Sequence, residues 1–191
     1  MCPDYLKDAR TGNTAKVNTD GQLITRATSV EQRLKSTVDK NYYEATTAQI
    51  TLTDTTETGI IYIKNLEDFV LVIDRVFYDI WESTGGSNGG ILKYYRNPTV
   101  TGGSAIVPYN TNFESSSEID ATSLKSLTTM TGDFWWTAYI SAGTSSALEE
   151  GRIVLPKGRS FGISVAAPTG NTSMKVSINV AMYLLDIDLL S

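Results

Sequence analysis

Apolar and polar residues alternate most cleanly near the end of the chain, where Met174, Val176, Ile178, Val180, Met182 and Leu184 interleave with Ser173, Lys175, Ser177, Asn179, Ala181 and Tyr183. A period of two puts successive side chains on opposite faces of an extended strand, so this segment predicts a β-strand with one face in a core. Ala48, Ile50 and Leu52 alternate with Gln49, Thr51 and Thr53 in the same way, and further strands are predicted over 60–64, 69–81, 91–96 and 134–140. The first half of 69–81 is too continuously apolar to be half-exposed and is expected to be buried on both faces. Through Asp74 and Arg75 the phase shifts, leaving Val76, Tyr78 and Ile80 on one side, which predicts a bulge or bend. Long bent strands of this kind are used to cross between the sheets of a sandwich. Pro156, Lys157 and Gly158 separate the apolar runs Arg152 to Leu155 and Ser160 to Ala166, predicting a hairpin with a type I turn beginning at Leu155.

Between these segments the pattern weakens. GGSNGG at 85–90 reads as a loop or hairpin tip, Asn97-Pro98 opens an irregular stretch, 105–109 is a short apolar run, and 110–131 is polar with weak β character. Ser29 is a candidate helix cap with Gln32 reaching back, and Val30, Leu34 and Val38 recur at four-residue spacing, so 29–43 fits either a short helix or an extended strap. Residues 1–21 carry no sustained period and are punctuated by Gly12, Asn13, Asn18, Asp20 and Gly21. The expected fold is all-β, a jelly-roll-like antiparallel β-sandwich over 44–191 with an extended N-terminal arm or strap over 1–43. So polar an arm cannot fold alone and is expected to be pinned, on its own body or on a neighbouring subunit.

Composition narrows the function. The net charge of −5 and the absence of clustered Lys and Arg argue against direct contact with nucleic acid. Met1 to Arg10 lacks the apolar core of a signal peptide, and there is no run of 18 apolar residues, so neither classical export nor a membrane span is expected. Cys2 is the single cysteine and is read as incidental.

The chain contains no histidine, which removes Ser-His-Asp and Cys-His catalysis and His-based metal sites together. Glu149 with Glu150, Asp79 with Glu82, and Asp186 with Asp188 are the carboxylate pairs a glycosidase would need, but loop and terminal placement explains them more simply. Asp54 and Glu57 match no EF-hand spacing, GGSNGG lacks the Gly-Lys-Ser/Thr ending of a phosphate loop, and Asn171-Thr172-Ser173 reads as a turn. No enzyme activity, cofactor or metal is therefore expected. Trp81, Tyr94, Tyr95, Trp135 and Trp136 have the chemistry of a sugar-stacking platform, with buried core or subunit interface as the simpler reading. In FWWTAYI at 134–140, Trp135, Trp136 and Tyr139 cannot all face one way, so core is expected on one side and a contact or loop cover on the other. The candidate assembly contacts are Tyr5, Leu6, Val17 and Leu23 in the arm, with Trp135 and Tyr139.

The stretch YRNPTVTGGSAIVPYNTNFE (95–114), preceded by TGIIYIKN and DFVLVIDRV and followed by GRIVLPKGRSFGISVAAP, resembles tailed-bacteriophage virion structural proteins, in particular jelly-roll head-decorating or auxiliary capsid proteins. The resemblance covers most of the chain from about residue 46 and leaves the arm outside it. It implies a virion subunit present in many copies that contacts other copies of itself and the major capsid protein or other virion proteins, without an active site. The alternative it leaves open is a tail- or fibre-associated module that recognises host surface glycan.

Overall fold

The alternating segment at the end of the chain becomes the centre of a sheet. In the computed structural model, β15 (Asn171–Leu185) pairs antiparallel with β6 (Val70–Gly85) from Asn171 opposite Gly85 to Leu185 opposite Val70. Met174, Val176, Ile178, Val180 and Met182 are all fully buried, as the period of two requires. The structure describes residues 5–7, 14–16, 36–37, 39–52, 56–85, 89–141, 145–148, 153–167 and 171–185. The chain divides into two compact units, 1–32 and 33–191. In the first, β1 (Tyr5–Lys7) and β2 (Thr14–Lys16) form an antiparallel pair.

The second unit is an antiparallel β-sandwich. Its seven-stranded sheet places β12 (Ser145–Leu148) and β13 (Ile153–Leu155) along one edge of β6. On the far side of β15 lie β3 (Tyr42–Thr46) and β4 (Ile50–Leu52), with β9 (Tyr109–Asn110) outside β3. The six-stranded sheet runs in the order β11 (Thr129–Ile140), β7 (Gly90–Thr101), β14 (Ser160–Ala166), β5 (Thr58–Asn65), β10 (Ala121–Leu127) and β8 (Ser104–Ala105). Gly90 of β7 marks how closely the sheets approach, since a methyl group there would stand 3.1 Å from Ile80 of β6 and 3.2 Å from Met174 of β15.

The connectivity wraps. When β3 and β4 count as one strand, β12 and β13 as another, and β8 to β10 as an insertion, the chain changes sheet at every connection except β7 to β11. The last strand returns to lie beside the first. This is a strand order of the jelly-roll type, built from interlocked Greek keys.

Two bulges shape the core. Ile163 opposes Ile61 while Ser164 opposes Gly59, so Ile60 is the extra residue of β5, and both Ile60 and Ile61 are fully buried in the one core cluster. In β6, Val70 to Ile73 are buried on both faces as expected, whereas Phe69, expected to open the strand, lies just before it and is exposed. Ala181 opposes Arg75 and Met182 opposes Ile73, which makes Asp74 the extra residue there. Its buried carboxylate accepts a 2.6 Å hydrogen bond from Tyr42 Oη.

Several expectations are corrected. β6 does not cross between sheets: the bulges bend it together with β15, and β12 and β13 both pair with it. The runs around Pro156-Lys157-Gly158 are not a hairpin, because β13 pairs with β6 in one sheet while β14 pairs with β5 and β7 in the other. The turn itself lies one residue later than expected, with Arg159 N–H donating to Pro156 O and Gly158 at φ 79°. β7 does not end before Asn97-Pro98. Asn97 adopts φ 48° inside the strand and its side-chain oxygen accepts from Ser160 N–H at 2.9 Å. The polar stretch 110–131 holds the whole of β10 and the start of β11.

The expected boundary between residues 43 and 44 falls inside β3, where Tyr42 and Tyr43 are already core. Within 29–43 the structure describes a helical turn at Ser36 and Thr37 before β3 begins. The strand expected through Ala48 breaks there at φ 57°, because Thr47 uses its hydroxyl to accept from Ile178 N–H in place of a regular ladder.

Candidate assembly surface

β11 is an edge strand, and its aromatic run is distorted where it matters. Phe134 opposes Tyr95 and Trp136 opposes Tyr94, so Trp135 is a bulged residue without a partner on β7. The bulge brings both indoles to Tyr94, Trp136 edge-on at 4.8 Å between ring centroids and Trp135 at 5.9 Å. Trp136 is partly buried against the core, while Trp135 remains 54% exposed. Beyond the bulge the strand alternates again, with Ile140 buried and Tyr139 exposed. Phe134, on the face turned away from the other sheet, lies under the Lys93 ammonium at 5.1 Å. The aromatic run thus has core on one side and exposed rings on the other, but the two tryptophans share a side.

Between this edge and the β13–β14 connection lies a groove of about 760 Å³ lined by Arg96, Trp135, Val154, Pro156, Arg159 and Phe161, among others. Phe161 is its buried floor, and Trp135 and Val154 are exposed walls. Arg96 and Arg159 are exposed, and neither guanidinium has a hydrogen-bond or ion-pair partner among the described residues. The groove offers apolar surface and two uncompensated positive charges.

A second polar cluster sits on the outer face of the six-stranded sheet. Glu57 accepts from Lys93 Nζ at 2.5 Å, from Ser164 Oγ at 2.5 Å and from Tyr95 Oη. Burial pulls the Glu57 carboxyl up, and the bonds from Lys93, Ser164 and Tyr95 with the Lys93 charge outweigh it, so it is held below its ordinary 4.5. Tyr95 is pushed up to about 12, by burial and then by its bond to Glu57. Lys93, Tyr95 and Ser164 all donate to the one carboxylate, so the cluster is a clasp between the entry of β5, β7 and β14.

Tyr94 is a different case: burial pushes its phenol up, and its hydroxyl is buried without a hydrogen-bond partner among the described residues. Tyr94→Phe removes that orphan and keeps the ring, so it is expected to leave stability unchanged or raise it by up to about 1 kcal/mol in urea unfolding.

Of the residues expected to carry assembly, Trp135 and Tyr139 are exposed on β11. Tyr5 and Leu6 lie in β1, opposite Lys16 and Ala15 of β2. Val17 and Leu23 lie outside the described residues, as do Asp54, Glu149, Glu150, Asp186 and Asp188. Among the described residues no group of three His, Cys, Asp or Glu is placed to hold a metal ion, and no helix is long and apolar enough to cross a membrane. Tyr94 and Tyr95, weighed as part of a sugar platform, are buried. Arg96, Arg159, Val154 and Phe113 carry no signal of their own in the sequence; the groove that gathers the first three exists only once β13 and β14 are assigned to opposite sheets.

No family model matches the chain, and no curated protein matches it. Among solved structures it is matched to a chain from the structure of infectious bursal disease virus Gx strain, at 9% identity and a TM-score of 0.12, over 98% of this chain and 46% of that one. The chain therefore spans less than half the length of that protein, and a TM-score this low carries no weight for fold or function.

Proposed function

We propose that this chain is a structural virion protein of a tailed phage that decorates or cements the capsid through contacts with copies of itself and with the major capsid protein or other virion proteins, and that it catalyses no reaction. The observation that carries this reading is the aromatic edge. Phe134, Trp135 and Tyr139 on one edge strand, with Val154 across the groove, are each about half exposed, and an edge strand that carries exposed aromatic rings is suited to docking a partner. The resemblance of 95–114 and its flanking strands to phage virion proteins supports the same reading, and the wrapped sandwich supplies a rigid body on which such an edge is held. An acidic chain without clustered basic residues suits a place on the shell rather than on the genome.

Copy number tests it. Quantitative mass spectrometry of purified particles is expected to find hundreds of copies per virion, and particles that lack the chain would overturn the reading. A few to a few dozen copies would instead favour a tail or fibre module recognising host glycan. That second reading draws on Trp135, an exposed indole beside two unpaired arginines; under it, Trp135→Ala lowers adsorption while particle assembly is unchanged.

A further inference from the structure

The insertion between β7 and β11 carries, between β9 and β10, a turn whose geometry is fixed and whose tip is bare. Asn110 Oδ1 accepts from Asn112 N–H, Asn112 Oδ1 accepts from Glu114 N–H, and Ser115 N–H donates back to Asn112 O at 2.8 Å. The turn is tied to the body by Asn112 Nδ2 donating to Thr37 O and Asn110 Nδ2 donating to Lys40 O. Phe113 stands on it with its side chain 100% exposed. Glu114, next to it in the chain, and Glu118, five residues on, are exposed, with no side-chain partner among the described residues. A wholly exposed phenylalanine on a well-bonded turn contributes nothing to this subunit's own core. The backbone that carries the ring is already ordered, so that part of the cost of presenting it to a partner is met before binding.

We infer that Phe113, with Glu114 next to it and Glu118 five residues on, is the knob that enters the groove between Arg96, Trp135 and Arg159 of a second copy of this chain. Ring meets indole and apolar wall, and the two carboxylates meet the two guanidinium groups left unpaired in the groove, so the surfaces are complementary in charge as well as shape class. Position in the fold dictates that the partner is another copy. The insertion borders the seven-stranded sheet at β9, outside β3, whereas β13 borders the same sheet at its opposite edge. Four strand spacings separate them, roughly 19 Å, so a knob cannot enter its own groove. The contact joins two different surfaces and is head-to-tail, which closes into rings or extends as a lattice rather than stopping at a two-fold dimer.

This inference rests on the reading that the chain works by self-association and specifies the surfaces. The test is sedimentation and native mass spectrometry of the full chain, its Phe113→Ala variant, and its Arg96→Glu/Arg159→Glu double variant; all three positions are exposed, and thermal melts check that each variant keeps its fold. Wild type is expected to form concentration-dependent oligomers, and each variant alone to be weakened at least tenfold. An equimolar mixture of the two variants is expected to form one-to-one dimers and nothing larger, since one variant retains only an intact groove and the other only an intact knob. Oligomers unaffected by either variant, or a mixture that stays monomeric, would overturn the pairing. So would a monomeric wild-type chain whose groove binds host glycan. A chain monomeric in solution yet present in hundreds of copies per particle overturns the pairing and leaves the assembly reading standing, while particles without the chain overturn that reading whatever the solution result.

Discussion

Asn65→Asp is expected to cost about 4 kcal/mol or more of folding stability. Asn65 is completely buried at the end of β5. Its side-chain amide donates to Phe69 O and to Leu155 O, each at 2.8 Å, and its side-chain oxygen accepts from Glu67 N–H at 3.0 Å. Its backbone closes the remaining links, donating to Arg159 O and accepting from Gly158 N–H. One residue of the six-stranded sheet therefore holds the 66–69 turn, the last residue of β13 in the other sheet and the β13–β14 connection. Aspartate has nearly the same shape but turns an acceptor toward two carbonyl oxygens in a fully buried site. Asn65→Ala, which merely leaves those carbonyls unpaired, should cost about 3 kcal/mol. The aspartate variant carries a distinguishing signature. Burial and the facing carbonyls raise the folded-state pKa of the new carboxyl above its unfolded value, so the deficit is smallest in acid, where the group is protonated, and grows as pH rises. Urea unfolding of both variants at several pH values checks this, and a deficit independent of pH in the aspartate variant would contradict it.

What could be read from the sequence follows the range of the interaction that decides each feature. β15 and the two halves of β6 were legible because burial on one face, or on both, writes itself directly into the residue pattern, and the Asp74 bulge because a bulge shifts that pattern's phase. The β13–β14 connection was misread because Pro156 and Gly158 specify a tight turn without specifying the sheets on either side of it. Sheet membership is decided by Leu155 meeting Leu71 and Phe161 meeting Ile63, far away in the chain. The same holds at the surface. Trp135 and Tyr139 stood out because seven residues with four aromatics exceed what one core face absorbs. Arg96 and Arg159 did not, because two isolated arginines become a pair only when the wrap brings β7 and β14 side by side. Phe113 sits alone in a polar stretch, and only its complete exposure sets it apart from an ordinary loop aromatic.

Glu57→Gln should lower stability at neutral pH by about 2 kcal/mol and remove part of the chain's sensitivity to acid. The carboxylate is the common acceptor for Lys93, Tyr95 and Ser164, joining β7 and β14 to the entry of β5 on a face that the other sheet does not cover. Hydrogen bonds to an ionised acceptor are worth about 1.5 to 3 kcal/mol, and partial exposure screens the Lys93 charge, so the lower part of that range applies. Glutamine keeps one acceptor oxygen but puts an amide where the ammonium donates. The sign follows from the direction of the shift. The folded-state pKa of Glu57 lies below its ordinary 4.5, so the stabilisation is present above that value and is lost as pH falls through the folded-state pKa. The difference in unfolding free energy between wild type and Glu57→Gln is therefore expected to be constant from pH 7 to about 5.5 and to shrink as pH falls below 4.5. Taking the difference cancels the contribution of the other carboxylates. On the alkaline side the same clasp acts through Tyr95, pushed up to about 12. Its raised pKa favours the folded state fully below the ordinary tyrosine value near 10, and that contribution is lost as pH climbs from there toward 12. A difference that grew on acidification would show that Glu57 is protonated in the folded protein and that the clasp is held by something other than its charge.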